Sequence, residues 1–263
     1  MKMNFLSHFK ISRVPKEIKK TSVLILLGAR WHCQSLVDLK LNNKLSFIDM
    51  LNKEGIDVFC LDNLGTGPTN STEYCGNLHK DNIKNAKKII NEFNIEYVIA
   101  YSYGTTIAAS LATTNIKGLI FVDPISKIPN NITAEIIENG DKFLIQISHL
   151  KDKLKELTEI SEIDIVNHCL KLSVSDEVFI TPTYTINETK KMRNEIVSHD
   201  FWNSFSEKSL LVVTTKHADP DLPVSYIKRV KHFENASHWI FIEPFAEDLS
   251  LEISKFIKNN EQL

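Results

Sequence analysis

The sequence predicts an α/β fold: a doubly wound, mostly parallel sheet with an inserted, mainly helical cap. Three observations predict it. Short, near-continuous apolar runs rich in β-branched residues recur along the chain. Amphipathic helical segments separate them. The rhythm then breaks for some eighty residues and resumes near the C-terminus. Runs of this kind suit strands buried on both faces of a parallel sheet, and strand–helix alternation is the pattern such sheets require.

The runs cover residues 23–27, 56–61, 97–100, 116–122 and 210–215. Helical patterns are expected over 36–52, 80–93, 105–112 and 245–257. In 80–93, Ile83, Ala86, Ile90 and Phe93 fall on one stripe at steps of three and four. In 245–257, Leu249, Ile253 and Phe256 do the same, with Ile257 beside them. The core is therefore expected over 1–124 and 208–263, with 125–207 as the inserted cap. Within the insert, helical pieces are expected over 134–138, 143–158 and 163–172. A Thr/Pro stretch follows at 181–185.

Length and composition agree with a well-packed core. At 263 residues the chain should bury roughly three-quarters of its unfolded surface, so no disulfide or metal is needed as a staple. Apolar residues make up 43% and charged residues 24%, which excludes wholesale disorder. A formal charge of −2 provides no basic field for nucleic acid. Cys33, Cys60, Cys75 and Cys169 form no CxxC pair, so they read as reduced thiols. No secretory signal and no apolar run long enough to span a bilayer is found, and a cytoplasmic setting is the expectation. No HExxH or calcium-loop pattern occurs, so neither metal nor organic cofactor is expected.

Three places could carry chemistry. The pentapeptide Ala100-Tyr101-Ser102-Tyr103-Gly104 follows an expected strand and precedes a small-residue helix. A sharp strand–turn–helix bend needs small residues two before and two after its centre. Such a bend would lift the Ser102 hydroxyl above the sheet edge and aim the Tyr103 N–H into the same space. A serine hydroxyl needs a base to act as a nucleophile. Of nine histidines, His238 lies between the last strand-like run and the last helix, on the rim Ser102 would share. The imidazole in turn needs a carboxylate to hold its tautomer. Asp219, in Asp219-Pro220-Asp221-Leu222-Pro223 after the run at 210–215, is the first choice. Asp221 is its near neighbour. Asp123, at the end of the run at 116–122, competes because a strand-end carboxylate there would face the same edge. A second oxyanion donor is expected after the first run, where Gly28 lets the backbone turn and Ala29 offers its N–H.

With these residues in hand, the chain resembles the α/β-hydrolase superfamily, in its serine-nucleophile branch. The order Ser102, Asp219, His238 is the family's chain order. Asp62-Asn63-Leu64-Gly65-Thr66-Gly67-Pro68-Thr69 is similar to the family's turn D-x-x-G-x-G-x-S. Asp219-Pro220 with Pro223 resembles its acid loop, and His238-Trp239 with Glu243-Pro244 its histidine loop. Departures are local: Leu27 stands for the usual His before the oxyanion-loop Gly, Ala100 for the elbow Gly, and Ser237 for a frequent Gly. The resemblance implies acyl transfer through Ser102, His238 and a carboxylate, with Ala29 and Tyr103 N–H groups holding the oxyanion. Apolar residues of the insert, such as Phe143, Phe179 and Trp202, could roof an apolar pocket. The expected small-molecule substrate is therefore a small-to-medium hydrophobic carboxylic ester or thioester, with a C–C bond cleaved by the same triad as the alternative. A non-catalytic ligand-binding protein on the same fold is the remaining reading.

Overall fold

The computed structural model describes residues 9–13, 21–28, 31–33, 36–40, 45–64, 78–111, 115–124, 136–139, 142–146, 173–175, 178–182, 205–214, 225 and 227–261. Its centre is a seven-stranded sheet. In chain order the strands are β1 (Phe9–Ser12), β2 (Thr21–Leu26), β3 (Ile56–Leu61), β4 (Tyr97–Tyr101), β5 (Gly118–Val122), β10 (Ser209–Thr214) and β11 (Val230–Phe233). They lie in the order β1-β3-β2-β4-β5-β10-β11. Every pairing is parallel except the edge pair β1–β3. The five expected runs are five of these strands. The antiparallel edge strand β1 lies in the N-terminal stretch outside the expected runs.

The near-continuous apolar runs follow from burial on both faces. Val23, Ile25 and Leu27 enter one cluster with Phe47, Leu51, Leu249, Ile253 and Ile257. Leu24 and Leu26 enter the other with Ala86, Ile89, Ile90, Ile107 and Leu111. Side chains alternate along a strand, so adjacent residues must both be apolar when both faces are covered. Each fully buried aliphatic side chain contributes about 1.5–3 kcal/mol relative to exposure.

Helices α1 (Phe47–Lys53) and α4 (Ala246–Asn260) supply the first face, and α2 (Leu78–Phe93) and α3 (Gly104–Ala109) the second. Ser46 opens α1 with a capping box, accepting from Asp49 N–H while the Asp49 carboxylate accepts from Ser46 N–H. The expected helix over 36–52 is thus confined at its start to residue 47, the first after that cap.

The insert corrects the sequence reading in its described part. Residues 136–138 and 143–146, expected as helical, lie in strands. β6 (Ile136–Asn139), β7 (Lys142–Gln146), β8 (Ser173–Ser175) and β9 (Val178–Pro182) form a four-stranded antiparallel sheet in the order β6-β7-β9-β8. The physical reason is legible in hindsight. Asn139 pairs with Lys142, and the sequence between them is Gly-Asp, a strong hairpin signal. Ile136, Ile137, Phe143 and Ile145 are strand formers that outweigh a loose helical spacing. The rest of the expected helical pieces, including 147–158 and 163–172, lies outside the described residues.

Candidate active site

The chain runs from β2 outward to β3, then crosses back to β4 on the other side of β2. The strand order reverses there, and the carboxyl ends of β2 and β4 frame the resulting crevice. Open α/β sheets bind ligands at such a switch point. The registers level the strand ends: Leu26 pairs with Ala100, Tyr101 with Val122, and Val122 with Val212. Ser102 and Asp123 are therefore the first residues beyond two adjacent strands.

Both have left-handed backbones, with φ 50° at Ser102 and 44° at Asp123. Each such non-glycine conformation costs of order 1–3 kcal/mol and persists where the surroundings over-determine it. At Ser102 the bend is forced by its neighbours. Ser102 N–H donates to Val122 O at 3.2 Å, and Ser102 O accepts Thr105 N–H at 3.0 Å and Thr105 Oγ1 at 2.7 Å. Gly104 packs on β2 so tightly that a Cβ there would sit 2.2 Å from Leu26 O. Glycine at 104 is a packing requirement, as the expected elbow demands.

His238 enters from the loop after β11. Its Nε2 lies 3.1 Å from Ser102 Oγ, and its Nδ1 is hydrogen-bonded to Asp123 Oδ2. Nδ1–H donating to the carboxylate leaves Nε2 as the acceptor facing the serine hydroxyl. Ser102 and Asp123 are buried, at 5% and 3% exposure, while the His238 side chain is 27% exposed. Asp123 Oδ1 accepts Thr214 N–H from β10 at 3.5 Å, so the neighbouring strand also restrains the carboxyl group.

The histidine loop is held from below. Tyr101 donates its hydroxyl to His238 O at 2.5 Å, and its ring lies 4.9 Å from the imidazole. Burial, with Asp123 and Glu243 nearby, pushes the Tyr101 phenol well above its ordinary value, which keeps it a donor. Glu243 accepts Ser237 N–H at 2.9 Å, and Ser237 Oγ accepts Trp239 N–H at 3.1 Å. Trp239 meets Trp31 edge-on, with centroids 4.5 Å apart. Thus Ser237, in place of a glycine, spends its hydroxyl inside the loop.

Of the expected site residues, the structure brings Ser102, His238 and Asp123 together and puts Tyr103 directly after the serine. Asp219, Asp221 and Ala29 lie outside the described residues. The supporting roles of Tyr101 and Glu243 were not singled out from sequence. A polar residue placed against a strand end inside an apolar run was the available signal for Tyr101. Among the described residues there is no cluster of three or more His, Cys, Asp or Glu side chains suited to a metal ion. None of the described helices is long and apolar enough to cross a membrane.

No protein-family model matches the sequence, and no curated protein matches it. Solved structures do match. The chain is similar to a soluble variant of monoglyceride lipase from Saccharomyces cerevisiae, with TM-score 0.68 and 13% identity over 96% of this chain and 90% of that one. It is similar to a thermostable carboxyl esterase from Bacillus coagulans, with TM-score 0.64 and 14% identity over 95% of this chain and 93% of that one. It is also similar to a meta-cleavage product hydrolase from Pseudomonas fluorescens IP01, with TM-score 0.64 and 12% identity over 95% and 93%. At such identities the likeness speaks for architecture, and it agrees with the seven-stranded sheet and its crossover at β2 and β4. The chain has the α/β-hydrolase fold.

Proposed function

We propose that this chain is a serine-dependent hydrolase acting on a small-to-medium, hydrophobic carboxylic ester or thioester through an acyl-enzyme. The observation that carries the reading is the relay Ser102 Oγ to His238 Nε2, 3.1 Å, with Asp123 on His238 Nδ1, at the sheet's switch point. Ser102 attacks the substrate carbonyl carbon as His238 Nε2 takes the hydroxyl proton. The oxyanion is held by the N–H groups of Tyr103 and Ala29. His238 then protonates the leaving group, and a water activated by the same nitrogen releases the acid and restores Ser102. Asp123 holds the tautomer and stabilises the imidazolium.

Asp123 is proposed as the acid in preference to Asp219 because, among the described residues, its carboxylate is hydrogen-bonded to the imidazole. Residues 125–207 are proposed as a cap over the site. The chain leaves the sheet immediately after Asp123, at the rim that bears the serine, and returns into the adjacent strand β10. The same relay would serve hydrolysis of a C–C bond in a diketone-like substrate, and one structural neighbour is named a meta-cleavage product hydrolase.

A fluorophosphonate tests the central claim. The expected result is covalent labelling of the native protein, abolished in Ser102→Ala, with esterase activity falling at least about 10⁴-fold. Labelling that survives Ser102→Ala, or none in the folded native protein, overturns it. A panel of p-nitrophenyl and CoA esters of rising acyl length, run beside a diketone, separates the substrate classes.

A further inference from the structure

Asp62 and Asn63 directly follow β3, and both are buried, at 8% and 2% exposure. Their side chains leave their own strand and reach the segment after β2. Asn63 Nδ2 donates to the carbonyls of Leu27 and Gly28, at 3.0 Å each. Asp62 Oδ1 accepts the N–H of Cys33 at 2.6 Å. Two consecutive side chains thus grip both ends of the stretch from 28 to 33. Gly28 O also accepts Trp31 N–H at 3.2 Å, which closes a turn on the same carbonyl. The gripping residues are themselves anchored, since Leu64 N–H donates to Asn82 Oδ1 of α2 at 2.9 Å.

The gripped backbone lies against the nucleophile. A Cβ added to Gly28 would stand 3.3 Å from Ser102 Cβ and 3.2 Å from the Tyr101 ring. In a planar trans peptide the N–H points opposite to the C=O of the residue before it. Whatever fixes the Gly28 carbonyl therefore fixes the direction of the amide that follows. A buried side-chain amide is costly unless it is bonded, so its two bonds to consecutive carbonyls mark a position where direction matters.

We propose that Asn63 is a positioning residue of the oxyanion hole, aiming the amide after Gly28 at the oxygen that becomes charged on Ser102 attack. The inference rests on the serine-hydrolase reading. It assigns to the family-like turn after β3 a part in transition-state binding, exerted through the backbone and without substrate contact.

The test uses the full chain, p-nitrophenyl butyrate as substrate and butylboronic acid as a tetrahedral mimic. In Asn63→Ala, kcat is expected to fall about 10–100-fold, somewhat less than loss of a whole oxyanion donor, with KM within about threefold of the native value. Boronic acid affinity should fall by the same factor as kcat/KM, because both report the oxyanion. A packing defect alone would not produce that proportionality. Asn63→Asp keeps the shape and replaces the donor by acceptors, so it should lose at least as much, and it carries the test if the alanine variant does not fold. A folded variant with kcat/KM within twofold of native, or a loss confined to KM, overturns the proposal. Native protein that neither hydrolyses the ester nor takes up a fluorophosphonate fails earlier, at the hydrolase reading, and is told apart by that labelling.

Discussion

The two rims of the central sheet hold polar side chains under different physical conditions. At the carboxyl ends of the strands, Ser102 and Asp123 are almost wholly buried, adopt left-handed backbones, and meet through one imidazole. At the opposite rim a cavity of about 460 Å³ is lined by Arg13, Ser22, Asp57, Asn94 and Glu96, with Phe59 and Phe93. Among its charges, Glu96 pairs with Lys117, whose side chain is 52% exposed. That rim also has a positive φ, 51° at Asn94, but Asn94 ends α2, where a left-handed asparagine is ordinary helix termination. At Ser102 and Asp123 the same conformation does not end a long helix; it aims a hydroxyl and a carboxylate at a shared partner. A sizeable hollow is thus a poorer guide to chemistry here than burial, backbone strain and a converging relay.

The contrast can be broken most sharply at the acid. Asp123→Asn is expected to lower kcat about 10³–10⁴-fold, because the amide leaves the imidazole in the wrong tautomer. Asp219→Asn should cost less than tenfold in the same ester assay. The reverse order would move the acid to the loop after β10.

A second expectation concerns buried charge near the site. Burial raises the Asp62 carboxyl to about 6, against the Cys33 N–H bond that lowers it. A raised folded-state value means that the ionised form is penalised in the fold. The penalty is absent below the unfolded value near pH 4 and complete above about pH 6. Asp62→Asn keeps an acceptor for Cys33 N–H and removes that charge. It should stabilise the protein by about 3 kcal/mol at pH 7 and by under about 1 kcal/mol at pH 4. Urea unfolding at the two pH values checks this; equal shifts at both would show that the penalty is not electrostatic. His79 runs the other way, since burial lowers it to about 4, so protonation costs the fold stability as pH falls from about 6.5 toward 4. Its contribution is common to both proteins and cancels in the difference.

Smaller effects follow. Tyr101→Phe removes the bond to His238 O while keeping the ring, and kcat is expected to drop about 3–10-fold, with little change in KM. A loss confined to KM would show that the hydroxyl does not hold the histidine loop. At the far rim, Glu96→Gln should change kcat/KM by less than twofold and stability by under about 1 kcal/mol, as exposed ion pairs do. A large loss of activity there would abolish the distinction between the rims.

Much of the core was legible because its signals are local. A run such as 23–27 must be apolar at every position once both sheet faces are covered. The steps of three and four through Ile83, Ala86 and Ile90 return one stripe to the core, where Ala86 and Ile90 are buried and Ile83 packs against them. The elbow was readable for the same reason, since Gly104 and Ala100 answer a steric demand within five residues. The insert was misread where two local signals conflicted. The expected helices over 134–138 and 143–158 ignore Gly140-Asp141 flanked by strand formers, and Asn139 pairs with Lys142 in a hairpin register.

By itself, the chain's order of residues determined a parallel α/β sheet, a serine at a strand–helix bend and a histidine before the last helix. Each is dictated by neighbours a few positions away. Which carboxylate meets His238 was decided only in three dimensions. Asp123 and His238 are 115 positions apart, and their contact depends on the registers that level β4, β5 and β10 and on the loop that Tyr101 and Glu243 hold against that rim. Sequence spacing carries no term for such a register, because strand pairing is set by the packing of the whole sheet.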